Sequence, residues 1–249
     1  MNQLTEFNKI YFTTYPNTLE EIGINPNEVM ITKLIPMHPL IDYEWDNEDE
    51  FYNAYILYIK DYFNYDSTED AKELVAKLFY LFYETMQIEL DNIRIDVDIA
   101  WEYYYLKTVG NFYNGLIREK DFLNISEPYL IYRDEDESDY IDNKLKIDIE
   151  LILHNELYGI QIKSNSYLNT QQSLKTKHHY CMDKYIRDYG GQPYYLIFNA
   201  NNKPMKNRKT GAYFIYYKDI LKTTYRDLIN GSIEDLKQYI ISLDNNDIM

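Results

Sequence analysis

The stretch that decides the fold is LKIDIELILHNELYGIQIKSN, which runs from Leu145 to Asn165. Polar and apolar residues alternate in LKIDIELIL and again in LYGIQIK. Alternation with a period of two is typical of β-strands that bury one face. The polar break between the two runs predicts a turn at 154–157. The stretch therefore predicts an antiparallel hairpin.

The two faces of this hairpin would differ in character. A turn centred between residues 155 and 156 would set Asp148 opposite Lys163 and Glu150 opposite Gln161, and a register shifted by two residues would leave these four on one face. Two carboxylates, a carboxamide and an ammonium group would converge there. The other face would be the core face, with five aliphatic side chains: Ile147, Ile149, Leu151, Ile160 and Ile162.

This combination of polar groups has a chemical use. Carboxylate and amide oxygens bind hard divalent cations such as Mg²⁺, which also takes phosphate oxygens of a substrate. A bound metal ion polarises a phosphodiester and activates a water molecule. A nearby ammonium group offsets the negative charge that develops during attack on phosphorus.

The order of Asp148, a hairpin and Gln161-Ile162-Lys163 resembles the PD-(D/E)xK nuclease superfamily. The Gln-x-Lys form is similar to the Mrr-like branch, in which Gln replaces the usual Glu. The resemblance implies that Asp148 is the main metal ligand and that Gln161 contributes its amide oxygen. It also implies that the backbone carbonyl of Ile162 completes the shell and that Lys163 assists catalysis.

Two further acidic residues are expected at this site. The family often adds a Glu from an upstream helix, for which Glu102 is the first candidate and Glu84 and Glu119 are the next. The chain departs from the family pattern because no Pro precedes Asp148 and because the glutamine removes a negative charge. Glu150 lies on the predicted polar face, and we expect it to supply that charge as a catalytic and metal-binding residue.

Composition predicts a soluble cytoplasmic protein with no membrane partner. The chain has 249 residues and a mean hydropathy of −0.54, with no apolar run near the ~20 residues of a membrane helix. Its first residues lack the pattern of a signal peptide. Cys181 is the only cysteine, so no intrachain disulfide or cysteine-based zinc site is expected.

The charge distribution is uneven. The net charge is −16, yet residues 163–209 contain nine Lys or Arg and two Asp, a net +7, which leaves −23 elsewhere. Charge asymmetry of this kind indicates a partner, and double-stranded DNA fits the basic segment. A solvated helix face and a mobile loop are the alternatives left open. The predicted DNA-binding residues are Lys175, Lys177, His178, Lys184, Lys206, Arg208 and Lys209.

The pattern of elements predicts an α/β or α+β fold, with a helical N-terminal half followed by a mixed central sheet flanked by helices. The resemblance makes residues 124–249 a restriction-endonuclease-like core and residues 1–123 a region for dimerisation or target recognition, together forming one compact unit. Predicted helices cover 51–63, 68–88, 96–118, 169–189, 218–229 and 232–242. Predicted strands cover 145–153, 157–163, 193–199 and 212–217.

The function implied by the resemblance is that of a metal-dependent DNA endonuclease, namely a type II restriction enzyme that uses Mg²⁺, with Mn²⁺ as a substitute. A homodimer is expected by analogy, since cutting both strands calls for two active sites. Whether a cognate DNA methyltransferase accompanies it is left open. The alternatives are an acidic protein that mimics DNA and an inactive nuclease fold that only binds nucleic acid.

Overall fold

The structure is a computed structural model that describes residues 38–89 and 97–245. The chain divides into two compact units between Leu116 and Ile117. This division falls within one helix, and the predicted boundary at 123/124 lies later in the same helix. Helices dominate the described part of the first unit, and the second contains the sheet, so the fold is α+β with a helical first half. Among the described residues, none of the helices has the length and apolar character needed to cross a membrane.

Seven α-helices occur in the described ranges. In the first unit, α1 begins after Asn47, whose side chain accepts a hydrogen bond from the backbone of Glu50. Ser67 and Asp70 bond each other reciprocally before α2 and cap its first turn. The helices are α1 (Glu48–Tyr62), α2 (Thr68–Glu89), α3 (Val97–Tyr105), α4 (Asn111–Ser126), α5 (Glu135–Tyr140), α6 (Gln172–Tyr189) and α7 (Ile233–Asp244).

The predicted helix over 96–118 is correct in type but not in form. A π-helical turn, Leu106–Gly110, separates α3 from α4. The Thr108 hydroxyl donates a hydrogen bond to the Tyr104 carbonyl at 2.8 Å inside this turn. The chain then continues as a helix to Ser126, beyond the predicted end.

The second unit is built on a four-stranded mixed sheet with the order β1-β2-β3-β5. The outer pairs β1–β2 and β3–β5 are antiparallel, while β2 and β3 are parallel and joined through α6. A separate antiparallel pair joins β4 and β6. The strands are β1 (Ile149–Leu153), β2 (Glu156–Ser164), β3 (Gln192–Phe198), β4 (Met205–Asn207), β5 (Phe214–Tyr216) and β6 (Leu228–Asn230).

Three local predictions in this unit are wrong. Residues 218–229 form two short 3₁₀ turns and then β6, because Thr224 and Asp227 close a capping box around a single turn. The segment between the predicted strands 193–199 and 212–217, for which no strand is predicted, contains β4, which pairs with β6. The helix predicted from 169 begins at Gln172 after a 3₁₀ turn, and its N-cap, Gln171, makes no side-chain bond. The helix ends at Gly190, whose φ of +73° lies in the left-handed region.

Both faces of the hairpin are covered. Four of the five predicted core residues, Ile149, Leu151, Ile160 and Ile162, pack with Leu236 and Ile240 of α7. Ile147 belongs instead to the cluster on the opposite face, with Met182 and Tyr185 of α6. The prediction for Ile147 is therefore wrong, because it precedes β1, where the chain has not yet entered the regular alternation.

Tyrosine is a main core residue in both units. Tyr55 and Tyr104 are fully buried in the first unit, and Tyr185 and Tyr195 are fully buried in the second. Burial raises the pKa of the Tyr55, Tyr185 and Tyr195 hydroxyls above the usual value. The 29 tyrosines of the chain thus include several that provide core volume and stay neutral.

Candidate functional site

The hairpin turn sets the register of the candidate site. His154 and Asn155 have φ values of +49° and +62°, which is the pattern of a two-residue type I′ turn. Ile149 therefore pairs with Ile160, and Glu150 lies opposite Gly159. The predicted register is wrong by two residues because the turn is tighter than expected. A shift of two leaves the side chains within β1 and β2 on the faces predicted from the alternation.

Asp148 is the centre of the site. It lies one residue before β1, and its backbone N–H donates to the Ile160 carbonyl at 2.9 Å. One carboxylate oxygen accepts a hydrogen bond from the side-chain amide of Gln161. The other accepts from the backbone N–H of Ile162 at 2.6 Å and lies 4.0 Å from the Lys163 ammonium nitrogen. The structure thus brings Asp148, Gln161 and Lys163 together.

Gln161 carries an unused acceptor beside this carboxylate. Its side chain is 1% exposed. Its amide oxygen Oε1 is buried and has no hydrogen-bond partner within the described part of the chain. Leaving a buried acceptor unsatisfied costs about 1–3 kcal/mol. A cation at this position would satisfy the amide oxygen.

Glu119 is the acidic residue that α4 contributes to the second unit's site. Burial raises the pKa of its carboxyl to about 8, and the nearby charges of Asp148 and Asp142 add to that rise, while Lys163 opposes it. These mutual effects place Glu119 among the carboxylates around Asp148. It was the third of the three upstream candidates.

The other two upstream candidates belong to the first unit. Glu102 lies on α3 and Glu84 on α2, and both side chains are exposed. A helical pattern does not show which residue faces a distant strand, so the sequence could not identify Glu119 ahead of Glu102.

Glu150 forms a buried ion pair. Its two oxygens accept hydrogen bonds from the Arg133 guanidinium, and one of them also accepts from the Tyr185 hydroxyl at 2.7 Å. A Cβ atom at Gly159, opposite Glu150 in the ladder, would lie 2.6 Å from the Tyr185 ring, so glycine makes room for it. The geometry gives no support to Glu150 as a metal ligand or catalytic group.

Lys175 is also a structural residue. It is 6% exposed, its ammonium nitrogen donates to the Leu168 carbonyl at 2.7 Å, and burial lowers its pKa. The structure therefore gives this predicted DNA contact no support. The helical pattern placed it beside Lys177 without showing that the two side chains point in different directions.

Some of the remaining predicted DNA-binding cations already contact a neighbouring side chain, and others are exposed. Lys184 bonds the Tyr140 hydroxyl and lies 3.9 Å from an Asp188 oxygen. Lys206 lies 3.7 Å from an Asp235 oxygen. The exposed members of the set are Lys177, Arg208 and Lys209.

His178 lies close to the charges of the site. Its Nδ1 atom is 3.0 Å from the hydroxyl of Tyr167, which is 2.9 Å from the hydroxyl of Tyr195. Burial lowers the His178 pKa, and the charges of Lys163 and Lys146 lower it further. The two tyrosines and Lys146 were missed by sequence reasoning, since no motif marks them.

Comparisons with known proteins assign no family. No family model, no curated protein and no solved structure matches the chain. In residues 38–89 and 97–245, no group of three or more His, Cys, Asp or Glu side chains is placed to hold a metal ion. A proposed function therefore has to rest on the contacts of Asp148 with Gln161, Ile162 and Lys163 and on the electrostatic coupling of Glu119 to Asp148.

Proposed function

We propose that the second unit is a metal-dependent nuclease domain that hydrolyses phosphodiester bonds in DNA, with a site similar to that of the PD-(D/E)xK nucleases. The observation that carries the proposal is the bonding of Asp148. Its carboxylate is held by the amide of Gln161 and the backbone of Ile162, with Lys163 at 4.0 Å. An Asp joined to a Gln-x-Lys segment in this way is the arrangement that the sequence motif requires.

The order of elements supports the proposal. The hairpin β1–β2, the helix α6 and the parallel strand β3 follow one another in a β-β-α-β order, which is similar to the order of elements in that superfamily. The motif lies toward the carboxyl end of β2, beside that of the parallel strand β3. Ligands of open α/β sheets commonly bind at such carboxyl ends.

The donors around Asp148 fit a magnesium ion. The candidate ligands are carboxylate oxygens of Asp148 and Glu119 and the unsatisfied Oε1 of Gln161. The backbone N–H of Ile162 points to Asp148. In a β-strand the N–H and the carbonyl of one residue point to the same side. The carbonyl of Ile162 therefore also faces Asp148. Two carboxylates, an amide and a carbonyl suit Mg²⁺, which prefers oxygen and retains several waters.

The chain's own groups perform the remaining tasks. When bound, the metal would supply Lewis-acid polarisation and an activated water. Lys163 holds a positive charge next to Asp148, where it can orient a phosphate group and offset developing negative charge. Glu119 retains a proton more readily than an exposed carboxyl does, and a cation beside it would favour its ionised form.

The finer assignment is also part of the proposal. We infer a type II restriction enzyme that cuts double-stranded DNA as a homodimer, with Mg²⁺ replaceable by Mn²⁺. The exposed cations Lys177, Arg208 and Lys209 can reach DNA phosphates. They offset part of the repulsion between DNA and a chain of net charge −16.

The test is cleavage of supercoiled plasmid DNA by the full chain in Mg²⁺, Mn²⁺, Ca²⁺ or EDTA. We expect cleavage in Mg²⁺ and Mn²⁺ but only binding in Ca²⁺, whose looser coordination positions the attacking water poorly. Equal cleavage in EDTA would exclude the metal mechanism. DNA binding without cleavage in any metal would support the inactive nuclease fold, and the absence of both would support the acidic mimic.

A further inference from the structure

Arg118 is a partly buried cation whose surroundings differ from those of Arg133. Its Nε atom donates to the side-chain oxygen of Asn202 at 2.7 Å. Burial lowers its pKa, and no neighbouring charge in the described ranges contributes. Arg133, by contrast, is bound by the carboxylates of Glu150 and Glu137.

Arg118 has no carboxylate partner among the described residues, although the chain is rich in Asp and Glu. The chain has 41 Asp and Glu against 25 Lys and Arg. Burying a guanidinium without a counter-charge costs free energy, because the ion loses hydration that nothing replaces. An anion that binds from solution would recover that cost, so the surroundings of Arg118 favour an anionic ligand.

Asn202 places Arg118 at the motif end of the sheet. It lies in the turn after β3, which is braced by the Asn199 side chain accepting from the N–H groups of Asn201 at 2.8 Å and Lys203 at 3.0 Å. In the parallel ladder the last pair is Ser164 with Phe198, one residue after Lys163 and one before Asn199. The guanidinium and the Lys163 ammonium thus lie at the same end of adjacent strands.

We propose that Arg118 binds a backbone phosphate of the nucleic acid next to the phosphodiester that faces Lys163, and that Asn202 orients its guanidinium for this contact. Among the described residues only the Nε bond to Asn202 engages this guanidinium, so its two Nη groups can form the paired contact that arginine makes with phosphate. This subsite rests on the proposed nuclease function, because that function supplies the substrate.

The test measures binding of a labelled DNA duplex to the full chain by fluorescence anisotropy, in Ca²⁺ and over a range of salt concentrations. Each phosphate that the protein stops neutralising reduces the slope of log affinity against log salt by about 0.9. We expect this change in Arg118→Ala. Arg118→Lys is expected to keep the slope while losing affinity, because lysine keeps the positive charge but cannot form the two parallel hydrogen bonds of a guanidinium.

Arg187→Ala is the matched control. Arg187 is exposed in the last turn of α6, which leads into the start of β3 at the opposite end of the sheet. It is expected to keep the wild-type slope. Equal slopes for wild type and Arg118→Ala, or a slope change in Arg187→Ala as large as in Arg118→Ala, would overturn the subsite.

The binding readout separates this inference from the nuclease proposal. If the wild type cleaves DNA and Arg118→Ala binds with an unchanged slope, the subsite is wrong and the nuclease proposal stands. If no metal supports cleavage but Arg118→Ala lowers the slope, the subsite stands and catalysis is wrong. Should Arg118→Ala fail to fold, Arg118→Lys decides: a folded variant with wild-type affinity overturns the subsite.

Discussion

The Asp148 carboxylate takes the position of a backbone acceptor for Ile162, at 2.6 Å from its nitrogen. In a continuing antiparallel ladder the next acceptor would come from Lys146, but that residue has a φ of +63° and the chain turns away there. The carboxylate is therefore oriented by the backbone of β2. This fixes one of the proposed metal ligands before any metal binds.

Asp148→Asn is expected to remove metal binding while keeping the fold. The amide oxygen can still accept from Ile162, but the charge that attracts the cation is gone. Thermal unfolding with and without Mg²⁺ measures this: the wild type should gain stability from Mg²⁺ and the variant should not. Asp136→Asn, an exposed residue of α5, is the control. An equal Mg²⁺ effect in wild type and Asp148→Asn would remove Asp148 from the metal site.

Lys163→Ala is expected to slow cleavage by about 10²–10³ with little change in DNA binding, because its charge acts on the transition state. Single-turnover kinetics at saturating enzyme measures the effect. Combining it with Asp148→Asn should cost less than the product of the two, since both act on one step.

The control for Lys163→Ala is a change at the far end of the hairpin. His154→Gly suits this purpose better than His154→Ala, because His154 has a φ of +49° that glycine adopts without strain. It should cut at the wild-type rate. A Lys163→Ala enzyme as fast as this control would refute the Gln-x-Lys assignment.

Glu150→Gln is expected to destabilise the fold and spare the chemistry. Removing one partner of a buried ion pair costs about 3–5 kcal/mol of unfolding free energy, and Arg133 would keep only Glu137. Urea unfolding measures the loss. Below its unfolding temperature the variant should retain Mg²⁺-dependent cleavage. Loss of metal dependence in a folded variant would instead return Glu150 to the metal site.

Glu119→Gln is expected to stabilise the protein in EDTA, increasingly so as the pH rises. The folded-state pKa is raised from the usual 4.5 to about 8, so the folded state binds a proton that the unfolded state has lost. The stability of the wild type therefore falls as the pH rises through the interval from 4.5 to about 8, whereas glutamine has no proton to lose. Calorimetry at both ends of the interval measures the difference. A variant that is less stable than wild type at the alkaline end would contradict the assignment.

Replacing Arg208 and Lys209 together with Ala is expected to flatten the salt dependence of DNA binding, by about 0.9 for each phosphate that the variant no longer neutralises. Both side chains are exposed. Lys206→Ala should have a smaller effect, because Lys206 lies 3.7 Å from an Asp235 oxygen. Anisotropy titrations measure all three proteins. If only Lys206→Ala changes the slope, DNA contacts the side of this segment that carries Lys206 rather than Arg208 and Lys209.

The hairpin shows what could be predicted from the sequence. Period-two alternation identifies both strands and the shared face of Asp148 and Gln161, because alternation is a local property of extended chain. The predicted register is off by two residues, since it depends on whether His154 and Asn155 adopt left-handed φ values. Neither residue is glycine, so no strong sequence signal marks so tight a turn.

The partners of charged side chains were the least predictable part. Glu150 and Lys175 carry the residue types of a binding site, yet both are buried, one paired with Arg133 and the other bonded to the Leu168 carbonyl. Glu119 has no motif around it and reaches the site only because α4 packs in the second unit. Such pairings depend on contacts between residues that are distant in sequence.

The tyrosine-rich core makes folding sensitive to strong base. In the folded chain burial keeps the hydroxyls of Tyr55, Tyr185 and Tyr195 protonated above their usual pKa, whereas in the unfolded chain they ionise near their usual value of about 10. The unfolded state therefore releases protons that the folded state retains, and each further rise in pH favours unfolding. The phenols of Tyr185 and Tyr195 should remain neutral while the second unit is folded and then form tyrosinate together when it unfolds, which makes their ultraviolet absorbance a direct reporter of its alkaline unfolding.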